Sequence, residues 1–407
     1  MENPLRPPAG VYNRRHFLKI TAAGVVTVAA GGVLAACGVG SSPDAGSGSA
    51  EPSSTGPGSS PGEPTAGSVG GPLALFTWAG YDGKGVKAFD DWYAKNNVEL
   101  DVKYISNENL INFMKSPGSE KWDGSSVNQG DAEYFYAQGV SSAISVGEIP
   151  NLADMYNFFK EGPLFKVSDG VYNSVPWTWG PIGINTRPDK VPADALQSYE
   201  ALFDPAWKGR IGTIDSALNM ISVASCATGK DPAVLTPDDL NGPVKDWLVR
   251  LMPQLKVLST SLGDQINLLV AGDVDIELVG LTWFSAQAAA QDVVVDFRIP
   301  DEGSYGFVDA MFITPWAPNR ANAIAFANAT MSGDTAVALL ESVNQLSSVK
   351  SVNADVKDEI FETYAVTRDG VPDAVQKLKW NKSWYDSTTY ASIEDWHRVW
   401  DEVKALG

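Results

Sequence analysis

The chain has 407 residues, too many for one typical compact domain and enough for two, and a formal net charge of −19 at pH 7. Such an acidic protein is disfavoured as a partner of nucleic acid, because its surface would repel the phosphates. The two histidines are His16 and His397, so the composition also disfavours a His-rich metal site and a Ser-His-Asp triad.

Residues 1–36 have the pattern of an export signal. Four basic residues precede an uncharged segment at 20–36, and the small residues of "LAAC" lead to Cys37. The run "NRRHFLK" resembles a twin-arginine export motif. The run "LAACG" resembles a bacterial lipobox, which implies cleavage before Cys37 and a lipid on its sulfur. A plain N-terminal membrane anchor is the alternative, and both place the rest of the chain outside the cytoplasm.

Residues 37–71 are expected to form a lipidated tether. Beyond Cys37 the segment is rich in Gly, Ser and Pro and contains no aromatic residue, so it cannot bury enough surface to offset its chain entropy. A flexible tether of this kind gives the folded part a reach on the order of 30 Å. With Cys37 carrying the lipid, Cys226 has no disulfide partner.

From residue 72 onward, strand and helix patterns alternate. "PLALFTW" (72–78) predicts a strand, "GVKAFDDWYAKN" (85–96) a helix and "ELDVKYI" (99–105) a second strand. Further strands are predicted at 210–215, 274–281 and 293–299, and further helices at 243–255 and 321–331. The alternation predicts an α/β fold with a largely parallel sheet, in which ligands gather beyond the carboxyl ends of strands. The candidates at such ends include Trp78, Tyr81 and Asp215.

The stretch "SYGFVDAMFI" (304–313) has the pattern of a buried strand that contains one charged residue. Phe307, Asp309 and Met311 fall on one face, and the opposite face is apolar as well. An unpaired carboxylate in such a strand costs several kcal/mol, so Asp309 needs a partner. That partner is either a group of the protein itself or a positively charged ligand.

The sequence carries few signatures of catalysis. It contains no P-loop, dinucleotide fingerprint, HExxH or CxxC motif. His397 lies in "IEDWHRVWDEV", whose helical core spacing favours a surface or packing role. We therefore expect that the protein is not an enzyme and that it has neither a cofactor nor a metal site. A glycosidase is the enzymatic alternative, because its two carboxylates need no motif.

Three stretches, taken in order, resemble one known family. They are "FTWAGYDGKGVKAFDDWYAKN" with the following "ELDVKYI", then "SVPWTWGPIGINTRPDKV", then "SYEALFDPAWKGRIGTIDSA". They resemble segments of extracellular solute-binding proteins of ABC importers, in the spermidine/putrescine-binding branch. The resemblance runs from about residue 72 to about residue 355, and the spacing from Pro300 to Asp309 agrees with it.

The resemblance implies a two-lobe, periplasmic-binding-protein-like α/β fold with a ligand cleft between the lobes. Carried over to this chain, lobe 1 comprises 72–178 plus 309–350, and lobe 2 comprises 179–308 plus 351–407 with the C-terminal helices. The strands that cross between the lobes would fall near Trp179–Gly183 and Tyr305–Asp309. Asp309 would then lie at a hinge that faces the cleft.

The resemblance also implies a site with carboxylates for ammonium groups and aromatic faces for the methylene chain. The residues at the implied ligand-binding positions are Trp78, Tyr81, Asn128, Asp215, Trp283, Phe307 and Asp309. Phe307 stands in place of a Trp and Asn128 in place of a Ser, whereas Leu218 occupies the position of a Glu that receives a second amine. Structural roles are the alternative: Trp78 and Phe307 as core residues, Asp215 as a helix cap.

The function implied by the resemblance is transport. An exported, lipid-anchored protein, on the outer face of the cytoplasmic membrane or in the periplasm, would bind putrescine, spermidine or a similar organic cation. It would deliver this ligand as a monomer to an ABC permease and its ATPase, without covalent chemistry. The alternative class is a lipid-anchored two-lobe sensor or surface protein with a different small ligand.

Overall fold

The computed structural model describes residues 68–104 and 110–406. The predicted export signal at 1–36, the predicted lipidation site Cys37 and most of the predicted tether lie outside the described residues. Gly70, at the end of the predicted tether, is already attached to the body. Its N–H donates to the Asn322 side chain at 2.9 Å, and its carbonyl accepts from the same side chain at 3.0 Å.

Strands and helices alternate along the described residues, and each element predicted above is present with ends that differ by a few residues. The strands are β1 (Gly71–Thr77), β2 (Val98–Tyr104), β3 (Gly124–Asn128), β4 (Ile144–Ser145), β5 (Lys166–Ser168), β6 (Val171–Tyr172), β7 (Val175–Pro181), β8 (Gly183–Thr186), β9 (Ile211–Ile214), β10 (Leu255–Ser259), β11 (Ile276–Gly280), β12 (Asp296–Arg298), β13 (Tyr305–Ile313), β14 (Leu346–Ser347) and β15 (Lys379–Trp380). The helices are α1 (Lys87–Asn96), α2 (Leu110–Met114), α3 (Gln129–Ala137), α4 (Asn157–Glu161), α5 (Ala217–Ala227), α6 (Pro237–Asp239), α7 (Lys245–Leu251), α8 (Leu262–Ala271), α9 (Thr282–Ala289), α10 (Arg320–Ala329), α11 (Gly333–Val343), α12 (Lys350–Asp355), α13 (Asp358–Thr363), α14 (Val371–Lys377) and α15 (Ile393–Leu406).

Two main sheets organise the molecule, and both are mixed. Sheet 1 has the order β14-β7-β13-β3-β1-β2, with β15 paired to β13, and sheet 2 has the order β10-β9-β11-β8-β12. β1 is parallel to β2 and β3, but β13 is antiparallel to β3 and β7, and β8 is antiparallel to both of its neighbours. The prediction of a largely parallel sheet is therefore wrong, because a strand's side-chain pattern records its burial and not its direction.

The described chain passes between the two sheets at three places. It leaves sheet 1 after β7 and enters sheet 2 at β8, through Ile182. It returns through 299–304, so Tyr305–Asp309, where a crossing was expected, already lies inside β13 of sheet 1. After β15, residues 381–392 lead from sheet 1 to α15, whose buried face packs with sheet 2.

Each sheet has its own hydrophobic cluster. Cluster 1, around sheet 1, includes Phe89 and Phe312, and cluster 2, around sheet 2, includes Ile211 and Trp400. A small satellite cluster around Phe284 packs α8 against α9. Within the described residues no single helix is both long and apolar enough to span a membrane. α10 and α11 reach that length and composition only as a pair bent by 70°.

The C-terminal helices divide between the two clusters. Apolar residues of α12, α13 and α14, from Val352 to Leu378, are buried in cluster 1, whereas the apolar face of α15 is buried in cluster 2. The assignment of 351–407 to lobe 2 stays a prediction, and the buried apolar residues from 352 to 378 pack with cluster 1. Helical periodicity shows that a helix has a buried face, but it does not show which core receives that face.

Candidate ligand site around Asp309

Asp309 lies in the middle of β13, between β3 and β7. It stands opposite Asn128 of β3 and Thr178 of β7. All 9 residues of β13 are buried, and Asp309 itself is 7% exposed. The prediction of a strand that is buried on both faces around one carboxylate is therefore confirmed.

Two side chains of the protein hold the Asp309 carboxylate. The Tyr81 hydroxyl donates to Oδ2 at 2.6 Å, and the Asn128 amide donates to Oδ1 at 3.2 Å. Burial raises the pKa of Asp309 to about 6, and these two hydrogen bonds oppose the rise because they stabilise the charged form. No basic residue of the described chain is among the groups that set this pKa. Above about pH 6, Asp309 is thus a buried negative charge held by neutral donors.

Asn128 reaches Asp309 because it ends β3 and caps α3. Its Oδ1 accepts from the Gly130 N–H at 3.3 Å, which leaves its Nδ2 to donate to Asp309. β3 and β13 are paired with Asn128 opposite Asp309, so the two side chains lie on the same face of sheet 1. The helix cap and the strand register together fix the orientation of this amide.

Tyr81 and Trp78 lie in the turn that follows β1. The Tyr81 N–H donates to the Trp78 carbonyl at 3.1 Å, and the two rings meet edge to face with centroids 5.5 Å apart. Tyr81 also packs edge to face with Trp177 at 4.7 Å. Burial and the nearby Asp309 raise the pKa of Tyr81 well above its ordinary value, so its hydroxyl keeps the proton that it donates. Trp78 is half-buried, which leaves part of its ring open to solvent.

Gln345 and Thr178 extend this hydrogen-bond network behind Tyr81. Gln345 Oε1 accepts from Thr178 Oγ1 at 2.9 Å, and Gln345 Nε2 donates to Tyr81 Oη at 3.2 Å. No motif in the sequence points to either residue. Thr178 was detectable only through the pairing of β7 with β13, which local patterns do not reveal. Gln345 follows α11 without any motif that points to it.

Phe307 lies on the same strand as Asp309, but its side chain is buried in cluster 2. It lies two residues before Asp309 and therefore on the same face of β13. Its ring covers Gly180 of β7: a Cβ added there would lie 2.7 Å from the ring and 2.8 Å from the Tyr364 hydroxyl. Glycine at position 180 therefore makes room for the Phe307 ring, which is buried with cluster 2.

Asp215 is engaged by the last helix. It follows β9 of sheet 2, and its carboxylate accepts from Trp400 Nε1 at 2.7 Å and from Lys404 Nζ at 3.0 Å. The cap of α5 is Ser216, whose side chain accepts from the Asn219 N–H. The protein itself thus supplies a positive partner to this carboxylate.

Trp283 lies in the first turn of α9 and is half-buried. Its ring packs edge to face on Phe284, with centroids 6.0 Å apart, against the satellite cluster. The preceding residue, Thr282, exchanges hydrogen bonds with Asn344, which follows α11. Trp283 is therefore placed where α9 meets the end of α11, next to the residue that is hydrogen-bonded to Asn344.

The structure thus brings Trp78, Tyr81, Asn128 and Asp309 into one connected group, with Phe307 beside them on β13. Asp215 and Trp283 contact other groups, and Cys37 lies outside the described residues. Within the part of the chain that the structure describes, no three His, Cys, Asp or Glu side chains are grouped to hold a metal ion. The arrangement provides a buried anionic oxygen pair next to aromatic surface, which suits an organic cation.

An α/β body with two sheets and a buried carboxylate beside aromatic rings defines a class of ligand-binding proteins. Residues 86–366 match the family of bacterial extracellular solute-binding proteins. The match covers more than half of the chain, so the chain belongs to this family. The resemblance deduced from the three sequence stretches is confirmed.

Curated relatives agree with this placement. The putrescine-binding periplasmic protein PotF of Escherichia coli (strain K12) is 26% identical over 204 residues, which cover 46% of this chain and 55% of that protein. The spermidine/putrescine-binding periplasmic protein 1 of Haemophilus influenzae is 23% identical over 335 residues, which cover 81% of this chain and 88% of that protein. The chain therefore matches about half the length of the first relative and most of the second.

A solved structure shows the same fold. The spermidine/putrescine ABC transporter substrate-binding protein PotD from Streptococcus pneumoniae matches with a TM-score of 0.66 at 16% identity, over 82% of this chain and 99% of that chain. The predicted fold class, an α/β fold of the two-lobe periplasmic-binding-protein kind, is thereby confirmed.

Proposed function

We propose that the chain is the substrate-binding component of an ABC importer and captures an organic cation of the polyamine class, such as putrescine or spermidine. The observation that carries this proposal is the Asp309 carboxylate, which is buried, ionised above about pH 6 and held, among the described residues, by neutral donors. A ligand with an ammonium group supplies the missing positive charge. The names of both curated relatives, which include putrescine, support the same ligand class.

The group around Asp309 has the capacity to bind an ammonium ion. Each carboxylate oxygen accepts one hydrogen bond from the protein and has a further lone pair for a ligand donor. The half-buried ring of Trp78 offers a face for methylene groups and for cation–π contact, and Phe307, buried with cluster 2, flanks Asp309 on β13. Tyr81 and Asn128 hold the carboxylate in place before the ligand arrives, which lowers the entropy cost of binding.

The proposed setting is the outer face of the cytoplasmic membrane. In this proposal a lipid on Cys37 anchors the protein to the membrane. Ligand bound to one lobe recruits the other, and the closed protein presents its surface to a permease driven by an ATPase. Binding and release complete the cycle without covalent chemistry, with the protein acting as a monomer.

Asp215 and Trp283 have a secondary place in this proposal. Asp215 binds a second ammonium group only if Lys404 and Trp400 release it. Leu218, three residues further on, has no group that pairs with a cation. We therefore assign most of the electrostatic binding energy to Asp309.

The test is thermal unfolding and calorimetric titration of the full chain carrying Cys37→Ser, with putrescine, spermidine, choline and Fe(III). A ligand at 100 times its dissociation constant adds about 2.7 kcal/mol to the free energy of unfolding, which raises Tm by a few degrees. Asp309→Asn should abolish the response to the amines. Asp238→Asn, at an exposed position on α6, is the matched control and should keep it. Unresponsive native protein, or amine binding that survives Asp309→Asn, contradicts the proposal.

A further inference from the structure

A reciprocal pair of hydrogen bonds joins the two halves of the molecule at Thr282 and Asn344. The Thr282 hydroxyl donates to the Asn344 carbonyl at 3.2 Å, and the Asn344 side-chain amide donates to the Thr282 carbonyl at 3.1 Å. Thr282 begins α9, which packs on α8 and the satellite cluster beside sheet 2. Asn344 follows α11, whose apolar face is buried in cluster 1. We call this pair the clasp.

The backbone at Asn344 turns both of its polar groups toward α9. Asn344 has a left-handed conformation, with φ of 52° and ψ of 49°, and ends α11 by donating its N–H to carbonyls of the last turn. Asn is one of the few residues other than Gly that adopts this conformation readily. Its carbonyl and side chain are not used by the helix cap, so both are available to Thr282.

The next residue, Gln345, belongs to the network around Asp309. Gln345 is 5% exposed and accepts from Thr178 Oγ1, while its Nε2 faces the Tyr81 hydroxyl. Tyr81 has one hydroxyl proton, and the short 2.6 Å bond assigns it to the Asp309 carboxylate. Tyr81 Oη must therefore accept from Gln345, and a bond accepted at Oη strengthens the bond that the hydroxyl donates.

We propose that Asn344 and Gln345 together couple the Asp309 site to the contact between the two halves: Gln345 positions the Tyr81–Asp309 pair, and Asn344 holds α9 through the clasp. The proposal rests on the proposed function, since it names a regulation of the same ligand site. One rigid peptide plane joins Asn344 to Gln345, so a ligand that shifts Tyr81, Asp309 and with them Gln345 also displaces the Asn344 carbonyl that takes part in the clasp. Closure and binding are then linked through one short segment.

The first part of the test uses a variant that removes one of the two hydrogen bonds of the clasp and keeps the backbone. Asn344→Gly retains access to the left-handed conformation and deletes the side-chain donor. Asn97→Gly is the matched control. Asn97 ends α1 in nearly the same conformation, with φ of 51°, and is distant from α9 in the sequence.

The readouts are the affinity for putrescine and spermidine and the distance between two spin labels. The labels are attached at Lys95→Cys on α1 and at Asn267→Cys on α8. The full chain carries Cys37→Ser, and Cys226 is buried with a pKa raised to about 12, which protects it from labelling.

We expect Asn344→Gly to lengthen the mean distance between the labels and to broaden its distribution. The affinities for putrescine and spermidine should fall by the same factor, on the order of tenfold, because a less populated closed form lowers every affinity alike. Asn97→Gly should change neither readout. Adding Thr282→Val to Asn344→Gly removes the remaining bond, from the Thr282 hydroxyl to the carbonyl of residue 344, and should enlarge both changes. Label distances for Asn344→Gly that match those of Asn97→Gly overturn the clasp.

The second part tests the positioning role of Gln345. Gln345→Met keeps the size of the side chain and removes the donor to Tyr81, so the Asp309 carboxylate loses part of its support. The pH midpoint of amine binding should move upward in Gln345→Met and stay in place in Asn344→Gly, a difference that a merely structural role would not produce. An unchanged midpoint in Gln345→Met overturns the coupling.

The two proposals fail in different ways. If the unmutated protein binds no amine, both the proposed function and the proposed coupling are contradicted. The label distances measured without ligand still decide whether the clasp holds the two halves together. If the amines bind normally and Asn344→Gly leaves both readouts unchanged, the coupling falls and the proposed function stands.

Discussion

Asp309 in sheet 1 and Glu277 in sheet 2 are both buried carboxyl groups, yet their surroundings leave one charged and the other neutral at pH 7. Asp309 accepts hydrogen bonds from Tyr81 and Asn128, and its pKa is raised only to about 6. Glu277, in β11, accepts one hydrogen bond, from Gln265 Nε2 at 2.7 Å, and burial raises its pKa to about 8. At pH 7, Asp309 is therefore ionised and Glu277 is protonated.

The difference lies at the second oxygen of each carboxyl group. Glu277 Oε1 has no hydrogen-bond partner among the described residues, and it fills the space beside Gly212. Both oxygens of Asp309 receive donors. Burial with one donor thus leaves a neutral acid, whereas burial with two fixed donors keeps a negative charge that a cationic ligand can use.

The largest expected effect comes from Glu277. Its folded pKa of about 8 lies above the value of an unfolded chain, about 4.3, so between these values only the folded state holds the proton. The free energy of unfolding should therefore fall as pH rises through this window, by up to about 1.4 kcal/mol per pH unit. Glu277→Gln should remove this part of the slope and stabilise the protein at the alkaline end. Urea unfolding across the window measures it, and identical slopes in the two proteins would contradict the assignment.

The next effect concerns the fit of Glu277 against Gly212. A Cβ at position 212 would collide with the Glu277 carboxyl group, so Gly212→Ala should lower the free energy of unfolding by about 1–3 kcal/mol. Gly147→Ala is the matched control, since a Cβ there meets only Ser145 Oγ at 3.5 Å, and it should be nearly neutral. In a protein that also carries Glu277→Ala, the loss of unfolding free energy caused by Gly212→Ala should be smaller, because the carboxyl group that the Cβ meets is gone. A cost that is the same in both backgrounds would show that the strain lies elsewhere.

On the Asp309 side, we expect the amine affinity to depend on pH. A protonated carboxyl group cannot pair with an ammonium ion, so affinity should be constant above about pH 6 and fall below it, by up to about tenfold per pH unit. Tyr81→Phe removes a donor that stabilises the ionised form, so the midpoint should move to higher pH. Calorimetric titration over this range measures both. Equal affinity for the amines above and below pH 6 would show that Asp309 does not pair with the ligand.

The smallest effect is expected at a third carboxylate, Asp215, which the protein already pairs. Its side chain is 37% exposed and that of Lys404 is 30% exposed, so their ion pair is screened by solvent. Asp215→Asn should lower the free energy of unfolding by no more than about 1 kcal/mol and affect amine affinity far less than Asp309→Asn. A loss of affinity as large as that of Asp309→Asn would instead make Asp215 a direct ligand contact.

Local patterns predicted the elements of the fold well. The alternation of strands and helices, the buried strand around Asp309 and the buried face of α15 all follow from side-chain periodicity, which a single stretch of sequence contains. The directions of β7, β8 and β13 and the division of the C-terminal helices between two clusters depend on partners far away in the chain. No local period encodes those partners.

The same limit explains the outcome at the site. Trp78, Tyr81 and Asp309 could be proposed because each ends, follows or interrupts a strand, and the family resemblance added Asn128. The partners of Asp215 lie 185 and 189 residues away along the chain, and Gln345 lies 264 residues from Tyr81, so no pattern near either residue announces the contact. Polar networks between distant segments become visible only in three dimensions.

The late position of the helices that complete both clusters has a consequence for how the protein is made. Residues 352–378 complete cluster 1 and α15 completes cluster 2, so a ribosome must release nearly the whole described chain before either core is buried. Partly synthesised chains therefore expose apolar surface until α15 is in place. The rate at which the protein matures should then be governed by contacts of long sequence separation formed after synthesis ends.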